Sequence, residues 1–210
     1  KSDTHEIILH NRNFQNDNEL IYTAIHEYTH HKQCEKGELV SSKRPHTTKF
    51  WSTFHSLLKI AEEKGFYNIG LKTGTELDEI TKKIREVLMV EDGRIMKELG
   101  SLLIKARQLC KEACVRYEDY IDRILCLPRN SAKEICKVAA ADVNPKIGFD
   151  NMKIVASIRK KDERAAAEKE FLEGEGPVGV RAMMKQKAEA ERQVSPKEKL
   201  EREKSRLTKT

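Results

Sequence analysis

A chain of 210 residues with 38% hydrophobic, 6% aromatic and 35% charged residues holds apolar material for one ordinary domain or two small ones, with part of it thinly packed or extended. No apolar run approaches membrane-spanning length and no charged-then-apolar leader opens it, so a membrane-spanning helix is excluded and a cytoplasmic location is expected. Residues 1–70 carry nine Lys/Arg and nine Asp/Glu, so the formal net charge of +6 comes from residues 71–210, where 31 basic residues face 25 acidic ones and contact with a polyanion is expected.

The first apolar alternation, HEIILHNRNF, predicts a strand over residues 5–10 with one face buried. Because the chain starts at Lys1 without a methionine and enters this alternation almost at once, a fragment of a longer protein with an upstream segment is expected. NDNEL is a turn, and Asp17 or Asn18 caps a helix from about Glu19 whose apolar stripe is Leu20, Ile21, Ala24 and Ile25. EKGELVSSKRP ends that helix, and Pro45 opens the next, which carries Phe50, Phe54, Leu57, Leu58 and Ala61 at helical spacing up to Gly65. NIGLKTGTELD reads as a connector, with a domain boundary near Gly70 to Gly74.

Beyond it every segment has a helical pattern. Leu77, Ile80, Ile84, Val87 and Leu88 form one stripe, and Ile95, Met96, Leu99, Leu102, Leu103, Ala106 and Cys110 another. Shorter helices are predicted at about 117–126 and 131–141, the second opened by a capping box Ser131-x-x-Glu134, and a further one after Asp150. LEGEGPVGV is a break, and from Lys185 the chain is a charged helix or a disordered tail. The five cysteines show no C-x-x-C pair and are expected to be reduced and mostly buried. The fold class expected is α+β, predominantly α: a small module over 1–70 with a short N-terminal strand, a connecting helix over 71–91, an all-α module over 92–184 and a tail over 185–210.

The chemistry concentrates in AIHEYTHHKQ, which spells H-E-x-x-H with His26, Glu27 and His30. Helix positions four apart point the same way from successive turns, so His26 and His30 can ligate one ion, and Glu27 can reach a water on it without ligating. Such a site needs a third ligand. His31 faces about 100° away from His30, whereas His46, in the first turn of the next helix, is brought inward if Phe50 and Phe54 pack on the motif helix. Glu35 and Glu38 remain alternatives as downstream carboxylates, and Cys34 as the fourth ligand of a closed structural site. A solvated polar helix with no metal is the bland alternative. Phe50, Phe54 and Trp51 read as core; Tyr28 and Tyr67 are oxyanion candidates that the sequence does not place.

IILHNRNF, LIYTAIHEYTHHKQ and HTTKFWSTF, in that order, resemble the SprT-like and related small zinc metallopeptidases over residues 5–67. The resemblance implies Zn2+ on His26, His30 and His46, Glu27 as general base, and a protein substrate. The chain departs from that pattern in having only 25 residues before His26, less sheet and helix than such enzymes carry.

RYEDYIDRILCLPRNSAKEICKVAA has the form of two short helices joined at Leu127–Asn130, the spacing of a helix-turn-helix. Arg129, Asn130, Ser131, Lys133 and Lys137 then face double-stranded DNA, while Ala132, Ile135, Val138 and Ala139 face the core. An ordinary helical hairpin is the alternative. Residues 92–184 resemble helical proteins of phages and mobile elements, and their second half resembles the DNA-binding helices of ParB-like partition proteins, which implies nucleic-acid association. The expected function is a zinc metallopeptidase associated with DNA; the rivals are a non-enzymatic DNA-binding or scaffold protein with a vestigial or structural metal site, and a non-peptide hydrolase using the same ligands.

Overall fold

The computed structural model describes residues 7–9, 14–35, 45–70 and 73–193. Those residues are predominantly helical, and no helix among them is long and apolar enough to cross a membrane. No strand occurs among them. Residues 7–9 are irregular, and Ile8 is 70% exposed; alternation makes a strand only where a second strand completes the ladder, and none is described. His5, Glu6 and His10, the rest of the expected strand, fall outside the described residues. The expected sheet component is therefore not part of the described fold.

The chain divides into two compact units, one comprising residues 1–70 with 181–210 and the other residues 71–180. The first is built on a helical hairpin of α1 (Asp17–Glu35) and α2 (Thr48–Glu63). Neither Asp17 nor Asn18 caps α1. Asn16 does, its Oδ1 accepting from Glu19 N at 3.0 Å while Glu19 Oε2 accepts from Gln15 N at 3.0 Å, a variant of the reciprocal capping box. Asn18 is spent elsewhere: its side-chain amide clamps the backbone of Asn68 beyond α2, donating to its carbonyl and accepting from its N–H at 3.1 Å. Tyr22 meets Phe54, His26 meets Phe50 and Phe54, and His30 meets Phe50, so α2 runs antiparallel to α1.

The fully buried apolar side chains of the described hairpin are Phe50 and Phe54, whereas the buried residues of α1 are Thr29 and Gln33. The expected stripe of Leu20, Ile21, Ala24 and Ile25 is only half-buried. Thr29 returns its hydroxyl to Ile25 O at 2.7 Å, a local bond that lets a threonine sit inside a helix interface.

In the second unit one uninterrupted helix runs from Glu76 to Glu112, as α3 (Glu76–Lys82), a π-helical stretch (Lys83–Leu88) and α4 (Met89–Glu112). Residue 92 lies inside it, so the connecting helix and the helical module are one element. The π stretch takes up an extra residue without ending the helix, so the downstream apolar pattern is displaced from the upstream one while the helix stays continuous. The first stripe stays uncovered among the described residues, with Leu77 and Leu88 both more than half exposed.

Part of the second stripe builds a core: Leu103 packs with Ile121, Ala132, Ile135 and Cys136, and Met96, Leu99, Leu125 and Leu127 close around them, whereas Ile95 and Leu102 are more than half exposed. α4 approaches α6 (Arg129–Ala141) most tightly at Gly100, where a Cβ would lie 2.6 Å from both Ala139 Cβ and Ile135 O. Gly100→Ala is accordingly expected to destabilise this unit by about 1–3 kcal/mol, read as a lower urea midpoint, because backbone cannot yield as a side-chain tip can.

Between α4 and α6 lies a second composite helix, α5 (Tyr117–Asp119) continued by a π stretch (Tyr120–Ile124). After α6, a 3-10 turn (Pro145–Ile147), α7 (Phe149–Ser157), α8 (Lys161–Leu172) and α9 (Pro177–Gln193) follow, burying Met152, Val155, Ala167, Phe171 and Val180. Residues 185–193 of the expected tail are thus helical, and residues 194–210 fall outside the described residues. The thiols are not mostly buried: Cys110 and Cys136 are, while Cys34, Cys114 and Cys126 are exposed. Cys114 and Cys126 occupy left-handed backbone positions at φ 58 and 52, at turns rather than in a core.

Candidate metal centre

The antiparallel hairpin brings the N-terminal side of α2 against the middle of α1, and with it His46 against His26 and His30. His46 Nε2 lies 3.1 Å from His26 Nε2 and 3.2 Å from His30 Nε2. Nitrogens bound about 2.0–2.1 Å from a tetrahedral zinc stand about 3.3 Å from one another, so both separations suit one shared ion. A neutral imidazole nitrogen carries either one proton or one lone pair, so His46 Nε2 can make one good hydrogen bond here, not two. A cation among three lone pairs satisfies all of them. The donor set of imidazoles suits zinc, copper, iron or nickel and disfavours magnesium or calcium.

His46 does not sit in the first turn of α2. The helix begins at Thr48 with Thr47 as its N-cap, so His46 is the residue before the cap, and Pro45 lies outside the helix altogether. Two local devices fix it. Thr47 Oγ1 accepts from Phe50 N at 3.2 Å, and the His46 ring meets Trp51 at 5.4 Å, as a residue before the cap meets the fourth helical residue in a hydrophobic staple. Thr47→Ala is expected to cost about 1 kcal/mol of hairpin stability and to weaken zinc binding, measured by competition with a chromogenic chelator.

Phe50 is the floor of the cluster. It is fully buried, with its ring 4.5 Å from His30, 4.7 Å from His46 and 5.0 Å from His26. Burial holds His26 below the usual imidazole range, with the Glu27 carboxylate pulling the other way and His46 adding to the depression. Burial lowers His30 as well, reinforced by His26 and His46 against Glu27. Both rings thus keep a lone pair available to a metal at a lower pH than a solvated imidazole would. Glu27 is exposed beside them, near enough for its charge to act on both rings.

Among the described residues no further His, Cys, Asp or Glu joins the three. Glu35 pairs with His31 at 3.2 Å, Cys34 is exposed, and Glu38 lies outside the described residues. Tyr28 turns towards His31 and Lys32. Tyr67 stands beside Tyr22, its phenol pushed up by burial and by the neighbouring Tyr22 and Glu62. The contributions of Phe50 and Thr47 escape a reading by residue type alone, although the spacing of Thr47 three residues before Phe50 is a capping signal.

The DNA candidates lie on α6. Arg129, Asn130, Ser131, Lys133 and Lys137 are all exposed, while Ala132, Ile135 and Val138 are buried. The helix starts at Arg129 after Pro128, two residues ahead of the expected capping box; Ser131 is inside the first turn and no side chain caps the helix. Pro128 presets φ near −60°, which starts the helix without a polar cap. The turn is Leu125–Pro128, turned by Cys126. Arg129 is engaged by Asp122, its Nε donating to both carboxylate oxygens at 3.0 and 2.9 Å, and the arginine holds that carboxyl below its usual range.

No protein-family model, curated protein or solved structure matches the chain.

Proposed function

We propose that the first unit is a zinc-dependent metallopeptidase and that the helical unit associates it with DNA. The observation that carries the first part is the convergence of three imidazole nitrogens, from the H-E-x-x-H helix and the residue before the next helix's cap, with an exposed carboxylate beside them. The resemblance to SprT-like metallopeptidases supports the same ligand set.

Bound zinc supplies a Lewis acid that lowers the pKa of water and polarises a carbonyl. His26, His30 and His46 would hold it, with Phe50 sealing the inner side against solvent. Glu27 takes the proton of the attacking water and delivers it to the departing amine. Metal analysis of purified protein tests the ligand set: stoichiometric zinc that is lost in His46→Ala supports it, and protein without affinity for zinc overturns it.

The exposed polar and basic face of α6, opposite a buried Ala132–Ile135–Val138 face, supports DNA contact. Lys133→Glu and Lys137→Glu are expected to weaken duplex binding without regard to sequence. The slope of log affinity against log salt should become shallower by about one for each phosphate no longer neutralised, read by fluorescence anisotropy over a salt series. Unchanged affinity in the double variant removes α6 as the DNA face. On this reading DNA localises proteolysis, so a DNA-bound substrate should be cut faster than the same substrate free; equal rates would count against it.

A further inference from the structure

A groove of about 570 Å³ lies in the first unit, walled on one side by Asn18, Tyr22 and Thr23 of α1 and on the other by Tyr67, Asn68 and Ile69. Tyr22 and Thr23 stand one helical turn before His26 and Glu27, four positions away in each case, so the groove continues the helix face that carries the metal ligand and the base. Its extent along α1, from Asn16 to Thr23, is about two turns or about 11 Å, the length of about three residues of extended peptide.

The walls are built rather than incidental. The reciprocal Asn18–Asn68 amide bonds fasten the segment after α2 to α1. Tyr22 stands edge-on to Phe54 with ring centroids 4.9 Å apart, and Tyr67 lies 6.5 Å from Tyr22. Ile69 is 67% exposed and Tyr22 41% exposed, so apolar surface stays open at the groove while Phe50 and Phe54 nearby are fully covered. Among the described lining residues Glu19 is the one that carries a charge, with no cation to receive an acidic ligand. Such a mixture of aromatic wall, phenol and hydroxyl groups is what pockets use to hold an apolar side chain and orient its backbone.

We infer that this groove is the substrate subsite of the metal centre, taking an extended peptide with an aromatic or large aliphatic side chain within about three residues of the bond to be cut, and rejecting acidic side chains there. The inference rests on the metallopeptidase reading, and binding separates the two. Labelled hexapeptides carrying either Phe or Asp at their central positions are titrated into the zinc-loaded full chain with Glu27→Gln, and their cleavage by the wild-type chain is followed separately. The Phe peptide should bind at least about tenfold more tightly than the Asp peptide, and Ile69→Asp and Tyr22→Ala should each weaken it about tenfold. Ile69 is 67% exposed and is not one of the clustered histidines, so its variant should keep its zinc and its fold even if loss of Tyr22 disturbs Phe54.

Equal binding of the two peptides, absence of binding, or full affinity in Ile69→Asp overturns the groove. Selective binding without any cleavage by the wild type keeps the groove and overturns the peptidase; cleavage indifferent to Ile69 and Tyr22 does the reverse.

Discussion

Glu27→Gln is expected to retain zinc at wild-type stoichiometry and to lower peptide cleavage by about 10²–10⁴-fold, the range spanned by loss of a positioned general base. Glu27 lies next to His26 in α1 and its charge reaches His26 and His30, yet it is exposed and outside the ligand cluster. The amide fills the same volume and accepts no proton. Metal content and turnover therefore part company in this variant, which neither a structural zinc site nor a metal-free helix allows. Full activity in Glu27→Gln would remove the carboxylate from the chemistry; loss of zinc along with activity would make it a ligand instead.

Phe50→Ala should have the largest effect on stability, about 3–5 kcal/mol for removing a fully buried ring. The hairpin has little else to lean on, since Phe54 is the other fully buried apolar side chain of its described residues. The same truncation removes the surface on which all three imidazoles rest, so zinc affinity falls with stability. Trp51 is the chain's single tryptophan and sits in this unit, so its fluorescence follows the hairpin's unfolding apart from that of the helical unit. Zinc at about a thousand times its dissociation constant returns about 4 kcal/mol to a folded state that alone binds it. A Trp51 transition that Phe50→Ala leaves in place, or that zinc does not move, would show that the ring is not the floor of a metal site.

Much of this site is legible in the sequence because helix geometry does the placing: four-residue spacing aligns His26 with His30, and the Phe50 and Phe54 spacing turns the second helix so that His46 comes inward. The surroundings are less legible. Three consecutive capping types, Asn16, Asp17 and Asn18, compete for one N-cap; the cap goes to Asn16, while Asn18 is spent on a backbone fifty positions away. Thr29 and Gln33 look solvated by composition but are buried by the hairpin. The π stretch at Lys83–Leu88 breaks the phase of the apolar pattern without breaking the helix, and a continuous helix then reads as two. Ser131 and Glu134 have the letters of a capping box, but the proline three residues before Ser131 starts the helix first. The alternation at 5–10 specifies which faces a strand would present and contains nothing about a partner strand.

All three histidines belong to one short stretch of chain, and the largest gap among neighbours in the cluster is the sixteen positions from His30 to His46. Closing a loop of that length costs about 2.5 kcal/mol of chain entropy, less than the roughly 4 kcal/mol that zinc at about a thousand times its dissociation constant returns to a folded state that alone binds it. Should the three imidazoles hold an ion, its capture would draw the two helices together, and metal binding and closure of the hairpin would be one event.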